Sequence, residues 1–333
     1  MPEEPIQLLV VGVGSIGERH LRCFQKTGRC EVALCEPNES LRKKIAEQYD
    51  VSAAFDTVET AIEHGRWSAA VIATPAPYHV PIAVQLAKLG CHLLIEKPLS
   101  TSTAGIVELQ EAVAANSVVA AVGYVQRAHP ALQRLKQQVD SGRFGNPLQV
   151  RVVLGHPFAQ FRPAYRDVYF ARREDGGGAI QDALTHFYNS VEWIVGPTTR
   201  VMTDAEHLHL DGVTVEDTVH TIARHGRVLA SFALNMYEPS NDSSITVVCE
   251  QGAVCSDFKQ LRCSWISEPV TDWNHEQIDV PERDTLYVIQ ANNFLDSIAG
   301  TDQPLCPLVD GITTLQTNLA SLRSLEEGTW QEI

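Results

Sequence analysis

Short apolar runs alternate with amphipathic segments through the first third of the chain. Leu8–Val11 precedes a helical pattern from about Ser15, and Cys30–Cys35, with Val32–Leu34 at its core, precedes another from about Ser40. Ala69–Ala73 (AAVIA) reads as a buried strand, and the stretch around Pro81–Leu89 as an amphipathic helix. His92–Ile95 reads as a strand, Thr103–Asn116 as a helix and Val118–Val122 as a further strand. Continuous apolar strands joined through helices predict a parallel sheet covered on both faces. Residues 1–123 are therefore expected to form a Rossmann-type, doubly wound domain of an α/β protein.

Beyond Gly123 the pattern changes. A helix around Pro130–Val139 stops at Ser141-Gly142, and Leu148–Leu154, Val213–Ala223, Arg227–Leu234 and Ile245–Cys249 read as strands. Short turns such as His225-Gly226 join them, which predicts a large, mostly antiparallel open sheet backed by helices over residues 124–333. An open sheet leaves one face to be covered, so a homodimer or homotetramer through this sheet is expected.

The turn after the first strand reads Gly12-Val13-Gly14-Ser15-Ile16-Gly17. Strand, glycine turn and helix start are the geometry that holds a dinucleotide pyrophosphate. Gly12 allows the sharp turn, Gly14 keeps side chain away from the phosphates, and Gly17 lets the helix lie close to the strand. The amides and dipole at the helix start, from Ser15 and Ile16 onward, attract the anion. Glu36, 19 positions beyond Gly17, ends the second strand, where a carboxylate accepts from the adenosine ribose and repels a 2′-phosphate. NAD is favoured over NADP. Arg42, Lys43 and Lys44 keep NADP open, although as the solvated face of the next helix they need no ligand.

Two further segments carry chemistry. Glu96-Lys97-Pro98 follows the strand His92–Ile95, at the strand end where open α/β sheets bind ligands, so Lys97 can meet a substrate hydroxyl or carbonyl. The plain alternative is a surface lysine before a helix. Gly176-Gly177-Gly178 opens a helix whose Asp182 and His186 are four apart and share a face. An aspartate that merely holds a histidine would look the same. Hydride removal from an alcohol, however, needs a base with a pKa near neutrality, which histidine supplies.

Together, G-x-G-x-x-G near residue 12, Thr74-Pro75 with His79, Glu96-Lys97-Pro98, and a glycine run leading to D-x-x-x-H resemble the glucose–fructose oxidoreductase/inositol dehydrogenase/rhizopine-catabolism (Gfo/Idh/MocA) family. The resemblance covers nearly the whole chain. It implies a Rossmann domain followed by an α/β oligomerisation domain, a tightly held nicotinamide cofactor, and sugar, cyclitol or nucleotide-sugar substrates. It further implies Lys97 as active-site lysine with Asp182 and His186 as catalytic partners. Thr74, Pro75, His79, Glu96 and Lys97 would border the cofactor, and Pro98 would follow a cis peptide. Many members carry an acid three positions after the histidine; here that residue is Asn189. The expected reaction is hydride transfer at a secondary hydroxyl or keto group. Net-neutral, NAD-dependent glycoside cleavage and a non-catalytic nicotinamide sensor are the alternatives.

Five arginines (151, 162, 166, 172 and 173) face one acid, Asp167, between Arg151 and Arg173, interleaved with Phe158, Phe161, Tyr165, Tyr169 and Phe170. Guanidinium forks suit carboxylates and phosphates, and flat rings suit a sugar face. Arg162, Tyr165 and Arg166, together with Arg127, are thus candidate contacts for an anionic sugar; bridges to acids of a neighbouring subunit are the alternative. His20, His92, His207 and His209 have no evident partner and read as surface or core imidazoles.

The formal net charge of −15 argues against nucleic-acid or anionic-membrane partners, and no apolar stretch approaches the ~20 residues of a membrane helix. The eight cysteines are scattered without a C-x-x-C pair, so neither a disulfide framework nor a metal site is expected. The acidic start MPEEPIQ is unlike a secretion signal, and a cytoplasmic protein with reduced thiols is expected.

Overall fold

The structure is a computed structural model that describes residues 5–267, 271–279 and 282–333. The chain folds as two units, residues 1–128 with 281–312, and residues 129–280 with 313–333.

In the first unit, β1 (Ile6–Val11), α1 (Ser15–Lys26), β2 (Cys30–Cys35), α2 (Glu39–Gln48), β3 (Ala54–Phe55), α3 (Val58–His64) and β4 (Ala69–Ile72) follow in turn. They continue into α4 (His79–Ala87), β5 (His92–Ile95), α5 (Ile106–Ala115) and β6 (Ala120–Val122). The strands form a parallel sheet in the order β3-β2-β1-β4-β5-β6, with the reversal between β1 and β4. All four residues of β4 are buried, as their unbroken apolar run predicts for a strand covered on both faces. Asn38 caps α2 by accepting from Leu41 N at 3.0 Å, and Thr57 and Thr60 form a capping box on α3.

The second unit contains α6 (Pro130–Asp140), β7 (Pro147–Gly155), α7 (Phe158–Phe161), a π-helical turn at Ile180–Leu184, and α8 (Thr185–Val195). There follow β8 (Arg200–Glu206), β9 (Thr218–His225), β10 (Val228–Asn235), β11 (Ser243–Cys249), β12 (Gly252–Asp257), β13 (Arg262–Ile266) and β14 (Asn274–Gln277). Nine strands are present among the described residues, ordered β14-β13-β12-β11-β7-β10-β9-β8-β15, where β15 is Gln331–Glu332. Pairing is antiparallel except between β7 and β10. Burial alternates along β7, β9 and β10. One face carries the core residues Val150, Val152, Phe232 and Val219, which join Tyr188 and Val191 of α8. Val153, Ile222 and Leu229 stay exposed.

Several short elements were not anticipated, and neither were the two long helices α9 (Thr285–Ile298) and α10 (Leu308–Glu327). The helix α9 groups with the first unit rather than with the expected 124–333 domain, and its Phe294 and Leu295 enter the core around Leu8 and Phe24. Arg22 of α1 fixes its start by donating to both carboxylate oxygens of Asp284 at 2.8 and 2.9 Å, which holds that carboxyl below the usual range. The anticipated strand 213–223 begins only at Thr218: Val213 and Val215 are buried, but in a loop that Asp217 ties together. All eight cysteines are free thiols. No helix among the described residues is long and apolar enough to cross a membrane, and no group of three His, Cys, Asp or Glu there can hold a metal ion.

Candidate functional site

In the first unit the glycine turn is crowded on one side and open on the other. A Cβ on Gly17 would lie 1.9 Å from Gly12 O, and Gly12 itself has φ +83°. A Cβ on Gly14 would meet nothing within 4 Å. The turn is therefore closed against its own sheet and free on the outside, as a pyrophosphate cradle requires. The Glu36 carboxylate lies across the turn, accepting from Val13 N at 3.2 Å and Asn38 N at 3.0 Å. Arg42 donates to Glu36 O at 2.6 Å and Lys43 to Glu39, so both cations are engaged within their own segment. Thr74 Oγ1, at the end of β4, is buried without a hydrogen-bond partner among the described residues. These features fit a bound dinucleotide: an open turn, an acid for the ribose and an unmet polar atom beside the sheet.

Lys97 stands two residues past the end of β5, after Glu96, and the Lys97–Pro98 peptide is cis. Its backbone is pinned by Glu96, whose Oε2 accepts from Lys97 N at 3.0 Å. The other oxygen, Oε1, lies 2.6 Å from His20 Nε2. Burial disfavours the Glu96 carboxylate, but the His20 bond and the nearby charge of Lys97 outweigh it and hold the carboxyl below its ordinary range. Gly123 completes the fit, since a Cβ there would stand 2.8 Å from Glu96 Oε1. His20 thus has a partner that its sequence neighbourhood did not reveal. The available signal was its position three residues after Gly17, one helical turn along α1.

His79 does not line an open groove. It is 1% exposed, and its ring nitrogens lie 2.7 Å from Thr74 O and 3.0 Å from Pro98 O. Only an imidazolium could donate to both carbonyls, and burial pushes its pKa down. The ring braces the Thr74-Pro75 turn against the segment after Lys97. Arg127 is also internal: at 2% exposure it donates to Asp310 at 2.6 Å and Leu305 O at 3.0 Å, making it a strut of the first unit.

In the second unit, Asp182 sits in the π-helical turn and His186 in the first turn of α8. Thr185 N reaches back five residues to Ile180 O. Such insertions into helices are frequent at functional sites, and nothing in the sequence pattern announced this one. Tyr169 Oη donates to Asp182 Oδ1 at 2.5 Å. Asn189 is buried and donates to Thr314 Oγ1 at 3.0 Å; Thr314 in turn donates to Glu192 at 2.5 Å. Asn189 is thus a strut between α8 and α10.

The arginine-rich segment separates into two sets. Arg172 pairs with Asp175 and Arg173 with Glu216. Arg162 is exposed, with no carboxylate partner among the described residues. Arg166 donates through Nε to Asp211 O at 2.7 Å and lies over the Tyr165 ring. Tyr165 is 2% exposed, so its ring is core and its hydroxyl donates to Asp211 O at 2.7 Å. Pro157, Phe158, Arg166, His209 and Tyr237 border a hollow of ≈ 200 Å³ in this unit. His92 and His207 are tied to backbone, His92 Nδ1 to Val119 N at 2.9 Å and His207 Nε2 to Leu210 O at 2.6 Å; His209 packs on Tyr237.

Comparison with known proteins finds relatives along most of the chain. Inositol 2-dehydrogenase of Corynebacterium glutamicum (strain R) is 28% identical over 192 residues, which cover 56% of this chain and 53% of that enzyme. The chain thus spans about half the length of that relative. The scyllo-inositol 2-dehydrogenase (NAD(+)) of Bacillus subtilis (strain 168) is 19% identical over 359 residues, covering 98% of this chain and 96% of that one. The WlbA dehydrogenase of Bordetella pertussis, solved with NADH and UDP-GlcNAcA, shares the fold with a TM-score of 0.81 and 23% identity, covering 99% of each chain. Residues 6–124 match an oxidoreductase family with an NAD-binding Rossmann fold and residues 132–255 its C-terminal domain, so the chain belongs to the Gfo/Idh/MocA family.

Proposed function

We propose that this protein is an NAD-dependent dehydrogenase or reductase that acts on a secondary hydroxyl or keto group of a sugar, cyclitol or nucleotide-sugar. The observation that carries the reading is Lys97, held by its backbone at the carboxyl end of β5 in the sheet whose first turn is the open dinucleotide cradle. When bound, the nicotinamide supplies hydride exchange. Gly12, Gly14, Ser15, Ile16 and Gly17 would hold its pyrophosphate, Glu36 its ribose, and the Thr74-Pro75 turn its flank. His186 takes the proton from the hydroxyl or returns it in reduction. The Lys97 ammonium donates to the same oxygen and stabilises the negative charge that develops there. Asp182, steadied by Tyr169, orients the histidine or a neighbouring hydroxyl.

The inositol dehydrogenases among its relatives support a polyol substrate. Arg162 and Arg166 favour one that carries a carboxylate or phosphate, the chemistry of the ligand in the WlbA complex. The exposed apolar positions Val153, Ile222 and Leu229 of the sheet suit a homodimer or homotetramer, and the acidic balance and eight free thiols suit the cytoplasm.

The test is NADH appearance from NAD with a panel of myo-inositol, D-glucose, D-glucuronate and UDP-sugars, run in reverse with keto-sugars and NADH. Turnover of at least one polyol is expected. A protein that binds NADH but turns over nothing in either direction would overturn the dehydrogenase reading. On an acidic substrate, Arg162→Ala and Arg166→Ala should each raise KM about tenfold, as loss of a charge-assisted hydrogen bond does, with kcat little changed. An unchanged KM would remove the anionic-substrate assignment.

A further inference from the structure

Two buried carboxylates of the second unit have no task in that scheme. Glu216 and Asp217 lie just before β9 and are 3% and 0% exposed. They are neighbours in sequence, yet they hold different segments.

Glu216 meets the glycine turn that precedes Asp182 and His186. Its Oε1 accepts from Ile180 N at 3.1 Å and its Oε2 from Arg173 Nη2 at 2.8 Å, while its carbonyl accepts from Ala179 N at 3.0 Å. The turn is shaped around this carboxylate. A Cβ on Gly178 would lie 2.4 Å from Glu216 Oε1, and Gly178 has φ +86°. The first N–H groups of a helix lack partners within it, and its positive end favours an anion. Glu216 supplies both partner and charge from the segment before β9, 36 residues away.

Asp217 holds the loop after β8, accepting from Leu208 N at 3.0 Å and from His209 N and Leu210 N at 2.8 Å each. Burial works against its charge, but these backbone donors prevail and keep the carboxyl below its ordinary range. The loop it organises presents Asp211 O, the acceptor for both Tyr165 Oη and Arg166 Nε at 2.7 Å. The Arg166 stem rests on Gly212, where a Cβ would come within 2.8 Å of its Cδ. One dipeptide therefore fixes both flanks of the arginine-rich segment, Arg173–Ile180 directly and Tyr165–Arg166 through the loop.

We propose that Glu216 and Asp217 are positioning residues with separate tasks, Glu216 setting the helix that carries Asp182 and His186, and Asp217 setting the loop that aims Arg166 at an anionic group of the substrate. The inference rests on the reading of His186 as the proton-handling residue.

The test compares full-length Glu216→Gln, Asp217→Asn and His186→Ala, with D-glucuronate and myo-inositol as the first acidic and neutral substrates. Glu216→Gln should lower kcat about 10- to 100-fold on both, with KM and NADH affinity within about twofold, since a small misplacement of reacting groups costs that much. Asp217→Asn should raise KM for the acidic substrate about tenfold and leave that for the neutral one nearly unchanged. Amide hydrogen exchange, which needs no substrate, should quicken at residues 176–184 in the first variant and 207–212 in the second. Equal effects on kcat and 1/KM in both variants, or unchanged exchange in these segments, would overturn the proposal. If Glu216→Gln does not fold, Arg173→Ala removes its partner from the exposed side, and an unchanged kcat there overturns the role of Glu216. Activity surviving His186→Ala overturns the reading of the base itself, whatever the other two variants do.

Discussion

Lys97→Met is expected to lower kcat at least a hundredfold, towards a thousandfold, while the dissociation constant for NADH stays within about twofold. Methionine keeps the length of the side chain and removes only the charged donor. The backbone posture of residue 97 depends on Glu96 Oε2 and its bond to the residue 97 amide, which the substitution leaves in place. The interaction lost under the proposed mechanism would be the ammonium's bond to the oxygen where negative charge develops, and removal of one such donor costs about 10²–10³ in turnover. An effect confined to kcat identifies an interaction made in the transition state. Steady-state kinetics and fluorescence titration with NADH, on the same preparation, decide the matter. A parallel loss of cofactor affinity would instead make Lys97 a cofactor ligand.

Gly17→Val should abolish measurable NADH binding and lower Tm by roughly 5 °C or more. The first side-chain carbon alone would overlap Gly12 O at 1.9 Å, and the atom it strikes is backbone inside the turn. Either α1 lifts from the sheet or the turn opens, and both displace the amides that would meet the pyrophosphate. Gly14→Ala separates packing from ligand binding. Its Cβ would enter open space, so Tm should hold while NADH affinity falls at least tenfold, because the methyl group occupies the path of the phosphates. Thermal melts with and without NADH measure both. Should Gly14→Ala bind NADH as the natural protein does, the cradle lies elsewhere.

The features legible in the sequence are those that short-range physics controls. The apolar run Ala69–Ile72 specifies a strand buried on both faces wherever it sits, and the glycine spacing at 12, 14 and 17 specifies a turn only glycine can make. Alternation in β9 and β10 marks a sheet with one covered face. The lysine after β5 and the aspartate and histidine after the triple glycine stand out because each follows such a local signal.

What the sequence left open depends on pairings between distant residues. His20 meets Glu96 across 76 positions, Glu216 meets Ile180 across 36, Arg127 meets Asp310 across 183 and Arg22 meets Asp284 across 262. No periodicity encodes such partners, since a buried polar side chain must be satisfied but its own neighbours do not say by whom. For the same reason Arg127 and Tyr165 looked like ligand contacts until their burial made them struts. The fold class and the dinucleotide turn are written locally in the chain, because backbone sterics and hydrophobic period act within a few residues. Tertiary structure alone decided which charges are spent inside the protein and which remain for a ligand, because desolvation and hydrogen bonding depend on what the folded chain brings into contact.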